Sequence, residues 1–134
     1  MISTELARAL RDSGLVWRPR AGDAFRIDLV EADDELFVLS DMTVEAHEFS
    51  TGTVLGFNGT TEWALDSVAL DEALWHPHEH QLREALGPAF VSLTALDGYT
   101  VTAVIDGVTG SFRADAAPDA YAKALLRLLD SLVA

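Results

Sequence analysis

A chain of 134 residues with 49% hydrophobic side chains is long and apolar enough to bury a core, which excludes a disordered acidic tail. It has no cysteine, which excludes a disulfide framework and thiol catalysis. Nine bases against 22 acids leave a formal charge of -13, which repels nucleic acid and anionic lipid and attracts basic partners or cations.

Ile2, Leu6 and Leu10 recur at four-residue spacing, which predicts a helix from Ser3 to Ser13. Ser3 or Thr4 caps it and Gly14 stops it. Leu15, Val16 and Trp17 are expected to pack its end onto the body. A loop follows at Arg18 to Gly22. Phe25, Ile27 and Leu29 alternate with Arg26 and Asp28, the pattern of a half-buried strand. Glu31 to Glu35 reads as an acidic turn. Leu36 to Leu39 is apolar on both faces, which predicts a central strand. Thr43 to Phe49 and Thr53 to Phe57 form a hairpin about Ser50-Thr51-Gly52.

Asn58-Gly59 signals a further turn. Trp63-Ala64-Leu65 fits either a short helix capped by Thr60 or Thr61 or a strand from Thr61 to Val68, and the strand is expected because Trp63 and Leu65 share a face and Asp66-Ser67 resembles its exit. Proline fits a first helical turn, so Pro77 to Leu86 is predicted as a helix with Gly87 beyond its end. Phe90 to Ala95, Tyr99 to Ile105 and Val108 to Phe112 are strands joined at Asp97-Gly98 and Asp106-Gly107. Pro118 to Val133 is the last helix, with Tyr121, Leu125, Leu128, Leu129 and Leu132 as its apolar stripe.

This order predicts one α+β domain over residues 1–134, an antiparallel sheet of about six or seven strands flanked by N-terminal, middle and C-terminal helices. Small acidic dimeric chaperones of the type III secretion class are similar in their order of elements. No run approaches the roughly 18 apolar residues of a membrane span. Met1 to Leu6 lacks the charged start and apolar run of a secretion signal, so a cytoplasmic protein that does not engage membranes is expected.

The charge is concentrated. Residues 27 to 82 hold thirteen acids and no lysine or arginine, while the remainder holds nine of each sign. Asp33, Asp34, Glu35, Glu45 and Glu48 are the candidate contacts for a basic protein or peptide. An acid excess also serves solubility or salt tolerance, so two accounts of it stand.

Three of four histidines lie in Trp75-His76-Pro77-His78-Glu79-His80. His76, His80 and Glu84 are spaced by four residues, and one helical face would let them hold zinc or nickel. Pro77 places His76 at the helix cap, and His78 is expected to point away from the other two. The bland alternative is a solvated first helical turn, and the HExxH pattern is absent. His47 shares a face with Glu45 and reads as a sheet-surface histidine. There is no P-loop, GxGxxG, GxSxG elbow or EF-hand loop, so no catalytic residue and no cofactor is assigned. Trp17, Trp63 and Trp75 read as core rather than as a pocket lining.

Trp75, Pro77, Gln81, Leu82, Glu84 and Leu86 form a stretch that resembles a recurring W-L-P-x-x-x-Q-L-x-E-x-L motif of small uncharacterised bacterial and phage proteins. Phe37 to Glu45 and Gly56 to Ser67 are similar to segments of small actinobacterial proteins, some labelled pilus assembly proteins. The motif residues suit an aromatic anchor, a helix start and a buried helix face. Gln81 is the polar exception, expected to bind either backbone or a partner. The resemblance implies no assigned chemistry. The reading as a whole is a non-enzymatic binding or adaptor module, a homodimer, with an acidic face for a basic partner. A divalent-metal protein using the histidine cluster is the alternative.

Overall fold

The computed structural model describes residues 1–27, 36–39, 44–49, 52–57, 67–69 and 72–132; for 44–49, 52–57 and 67–69 the description is of the backbone alone. In chain order the elements are α1 (Thr4–Asp12), β1 (Ala24–Ile27), β2 (Leu36–Val38), β3 (Val44–Phe49), β4 (Gly52–Phe57), β5 (Ser67–Ala69), β6 (Ala73–His76), α2 (Glu79–Leu86), β7 (Phe90–Thr94), β8 (Tyr99–Ile105), β9 (Val108–Ala114) and α3 (Ala117–Ser131). A single 3-10 turn, Gly87–Ala89, joins α2 to β7. The class is α+β, with helices packed beside antiparallel strands. The described strands pair in three groups of three, β2-β1-β6, β3-β4-β5 and β7-β8-β9, rather than in the one larger sheet that the hairpins predict. No helix among the described residues is long and apolar enough to cross a membrane.

Contacts divide the chain into two compact units within the expected 1–134 span. A terminal unit comprises Met1–Val16 and His76–Ala134, and a central unit comprises Trp17–Trp75. The terminal unit is built around α3. Its Ala120, Ala122 and Ala124 are fully buried, and alanine's small side chain lets a helix lie close to neighbours on more than one side. α3 packs on α1, α2, β8 and β9. Val101, Ala103 and Ile105 of β8 supply the buried face of the sheet, in the alternation that the sequence shows. Leu82 and Leu86 of α2 are buried, each contributing about 1.5–3 kcal/mol. α1 starts where predicted, with Ser3 Oγ accepting from the Leu6 N–H at 3.2 Å. Asp119, in the first turn of α3, accepts from the Ser3 N–H at 2.8 Å and so ties the two helix starts together. The expected stripe on α3 is shifted: Tyr121 and Leu125 are buried, but Leu132 is 73% exposed beyond the helix end. Alanines take over the buried positions because they fit between closely packed neighbours.

The β8–β9 hairpin is the two-residue type its sequence specifies. Ile105 pairs with Val108, and Asp106 (φ 52°) and Gly107 (φ 77°) both lie in the left-handed region of a type I′ turn.

In the central unit, Trp17, Phe25, Leu39 and Ala73 form a core, with Ile27 and Trp75 packed against it. Four rings make a row: Phe37 to Phe25 at 5.6 Å, Phe25 to Trp17 at 5.5 Å, and Trp17 to Trp75 at 6.4 Å between centroids. Trp17 therefore anchors this unit, and Val16 before it is 68% exposed. β2 is an edge strand in its group, not the central strand expected, and Val38 is 64% exposed. β3 and β4 form the predicted hairpin, with Phe49 opposite Gly52. The expected strand from Thr61 meets the described residues only at β5. Ser67, read as part of the exit, is the first residue of that strand. β6 is not predicted by the sequence pattern. Ala73, Leu74 and His76 are all buried, so no alternation marks it. The Leu29 end of the first strand, the Glu31–Glu35 turn and the Asn58-Gly59 turn lie outside the described residues.

Candidate functional site

Charge divides unequally between the two units. Trp17–Trp75 carries thirteen acids against three bases (Arg18, Arg20 and Arg26), a formal charge of -10. The terminal unit carries nine acids against six bases, or -3. The anionic stretch of sequence is thus also a compact unit in space. Of the candidate contact residues, Asp33, Asp34 and Glu35 lie outside the described residues. Glu45 and Glu48 stand on β3, opposite Gly56 and Thr53 of β4, and their side chains lie outside the described residues.

One acid of this unit has a structural task. Asp23 is 2% exposed, and its Oδ2 accepts from Trp17 Nε1 and from the Arg20 N–H, each at 2.9 Å. The Asp23 N–H donates back to the Arg20 carbonyl, and the Leu39 N–H donates to the Asp23 carbonyl. Asp23 thereby closes the loop from Trp17 and fixes the indole in the aromatic row. A lone acid before a strand gave no sequence signal of this role.

The histidines do not gather as the four-residue spacing implies. His76 ends β6 and is 1% exposed, whereas His80 and Glu84 are exposed on α2. The metal-binding alternative placed His76, His80 and Glu84 on one helical face. The strand at 73–76 takes His76 off that helix. Among the described residues, no group of three or more His, Asp or Glu side chains is placed to hold a metal ion. The helix cap is His78, not His76. His78 and His80 stack with centroids 5.7 Å apart and planes 11° from parallel, which corrects the expectation that His78 stands apart from its neighbours.

Gln81 is resolved by its geometry. It is 7% exposed, and its Oε1 accepts the His78 N–H at 2.9 Å. The backbone role foreseen for it is thus filled: it satisfies an amide at the helix start, as the third residue of a capping box does. With Pro77 and Leu82 also buried, the Trp75–Leu86 motif encodes the turn from β6 into α2.

A second cluster was invisible in the sequence. The Arg83 guanidinium lies 4.4 Å from the Phe90 ring centroid, and Phe90 stacks on Tyr121 at 5.6 Å. Burial pushes the Tyr121 hydroxyl above its ordinary pKa, the Glu79 carboxylate adds to this, and Arg83 opposes it. These residues come from α2, β7 and α3, and only packing brings them together.

No protein-family model, curated protein or solved structure matches this chain.

Proposed function

We propose that the protein is a small acidic binding or adaptor module that recognises a basic protein or peptide through its central unit. The observation that carries this reading is the partition of charge, -10 in the central unit against -3 in the terminal one. A solubility device needs no such partition, because any exposed position serves. A field of one sign focused on one unit steers oppositely charged partners and speeds their encounter. In this reading the module works in the cytoplasm as a homodimer, with Asp33, Asp34, Glu35, Glu45 and Glu48 as contacts.

The test uses the full chain and a short lysine-rich peptide, with binding measured by calorimetry at low and moderate salt. Affinity is expected to fall steeply with salt, because the Debye length shortens to about 10 Å at 0.1 M. Reversal of Asp33, Asp34 and Glu35 to lysine is compared with an equal reversal of Glu84, Asp106 and Asp130 in the terminal unit. The first set should weaken binding far more. Equal effects would mean generic charge attraction and would remove the proposal.

A further inference from the structure

Among the described residues the sheet β7-β8-β9 has two outer edges, and an exposed edge presents unpaired N–H and C=O groups that another strand can join. The β7 edge carries an irregularity between Phe90 and Ser92, and such a bulge spoils continuous pairing. β9 is different. Its seven residues pair with β8 in unbroken register from Ile105–Val108 to Tyr99–Ala114. In a two-residue hairpin the residues flanking the turn bond to each other. Val108, Gly110, Phe112 and Ala114 therefore direct their main-chain groups to β8. Thr109, Ser111 and Arg113 direct theirs outward. The Nζ of Lys123, on α3, donates to the Arg113 carbonyl at 2.8 Å. That carbonyl is one of the outward acceptors, and Lys123 is the only lysine in the chain.

We propose that the outer edge of β9 is a latent self-pairing surface, and that Lys123 holds it closed against β9 of a second copy. The strand is self-complementary. An antiparallel two-fold pairing centred on Ser111 sets Thr109 opposite Arg113 of the other copy, at both ends. No like charges then face each other across the pair. Such a pairing requires the Arg113 carbonyl to accept the N–H of the other copy's Thr109. Lys123 already bonds that acceptor and lays its ammonium across the approach. The Arg113 Nε and Nη2 donate to the Asp97 carbonyl at 3.0 and 2.7 Å, which holds that side chain against the β7–β8 turn. A second copy is favoured over a foreign strand because the outward groups repeat with the two-fold and need no added charge.

The hydrogen bond from Lys123 is exposed and contributes little to folding, so its removal should free the edge without unfolding the chain. Lys123→Met keeps the length and removes the donor, and Lys123→Arg keeps a donor. Lys123→Ala repeats the test should the methionine variant not fold. Two readouts are made on the full chain. Hydrogen exchange at the amides of Thr109, Ser111 and Arg113 should be fast in the wild type and slow roughly tenfold in Lys123→Met as concentration rises. Because the chain has no cysteine, Ser111→Cys supplies a unique thiol at the two-fold centre. Its oxidative cross-linking should be roughly tenfold faster with Lys123→Met than with Lys123 or Lys123→Arg, the equivalent of about 1.4 kcal/mol. Unchanged exchange and cross-linking in the methionine variant would overturn the proposal. So would association that leaves those three amides unprotected, since the contact would then lie elsewhere.

Discussion

Replacing Asp23 with alanine is expected to destabilise the central unit by about 3–5 kcal/mol, a large share of the stability of a small domain. The figure rests on two of the Asp23 bonds. Oδ2 accepts from the Trp17 indole N–H and from the Arg20 N–H, both at 2.9 Å. Hydrogen bonds to an ionised acceptor are worth about 1.5–3 kcal/mol each. Trp17 is 8% exposed, so water does not replace the lost acceptor for its N–H. The Arg20 amide is only partly buried and recovers part of its share from solvent. Asp23→Asn behaves differently. Both bonds converge on one oxygen, and an amide oxygen in that place still accepts both, so the loss is smaller than for alanine. All three tryptophans, Trp17, Trp63 and Trp75, belong to the central unit. Urea titration followed by tryptophan emission therefore reads this unit directly. Near-ultraviolet circular dichroism reads the Trp17–Trp75 stack. Equal midpoint shifts for the alanine and asparagine variants, or shifts under about 1 kcal/mol for both, would refute the reasoning.

Other outcomes follow from the same geometry. Gln81→Ala should cost about 1 kcal/mol by leaving the His78 amide without its cap; thermal melts monitored by helix signal measure it. Tyr121 is neutral when protonated, and its folded pKa lies above the unfolded value of about 10. Its contribution is therefore fully present below that value and is lost as pH rises through the folded pKa, and Tyr121→Phe should flatten the alkaline limb of a stability–pH curve. Gly107→Ala should cost about 1 kcal/mol or more, because φ 77° is unfavourable for a residue with a Cβ; a denaturant midpoint measures it.

Much of the fold was legible because its signals are local. The Asp106-Gly107 pair specifies a type I′ turn wherever it stands between alternating strands. Ser3 caps α1 by a bond three residues long, and β3 and β4 are neighbours in sequence that pair as a hairpin. The elements misread were those whose identity depends on neighbours. β6 shows no alternation because Ala73, Leu74 and His76 are all buried. Leu36 to Leu39 reads as a central strand by apolarity, yet an edge position and an aromatic row at Phe37 account for the same residues. The histidine spacing misleads for a related reason: four residues imply one face only if the helix has begun, and here His76 is still in a strand.

By itself the sequence determined the α+β class, the hairpin turns, the capped helix starts and the anionic middle of the chain. These depend on side-chain periodicity, on backbone conformations that few residues adopt, and on a count of charges. Tertiary structure alone decided that the anionic middle is also a compact unit. It alone gave Asp23 to a buried indole, separated His76 from His80, stacked Arg83 on Phe90 and Tyr121, and set Lys123 on the edge of β9. Each of these joins groups through packing, and the distance between packed side chains is not written in their spacing along the chain.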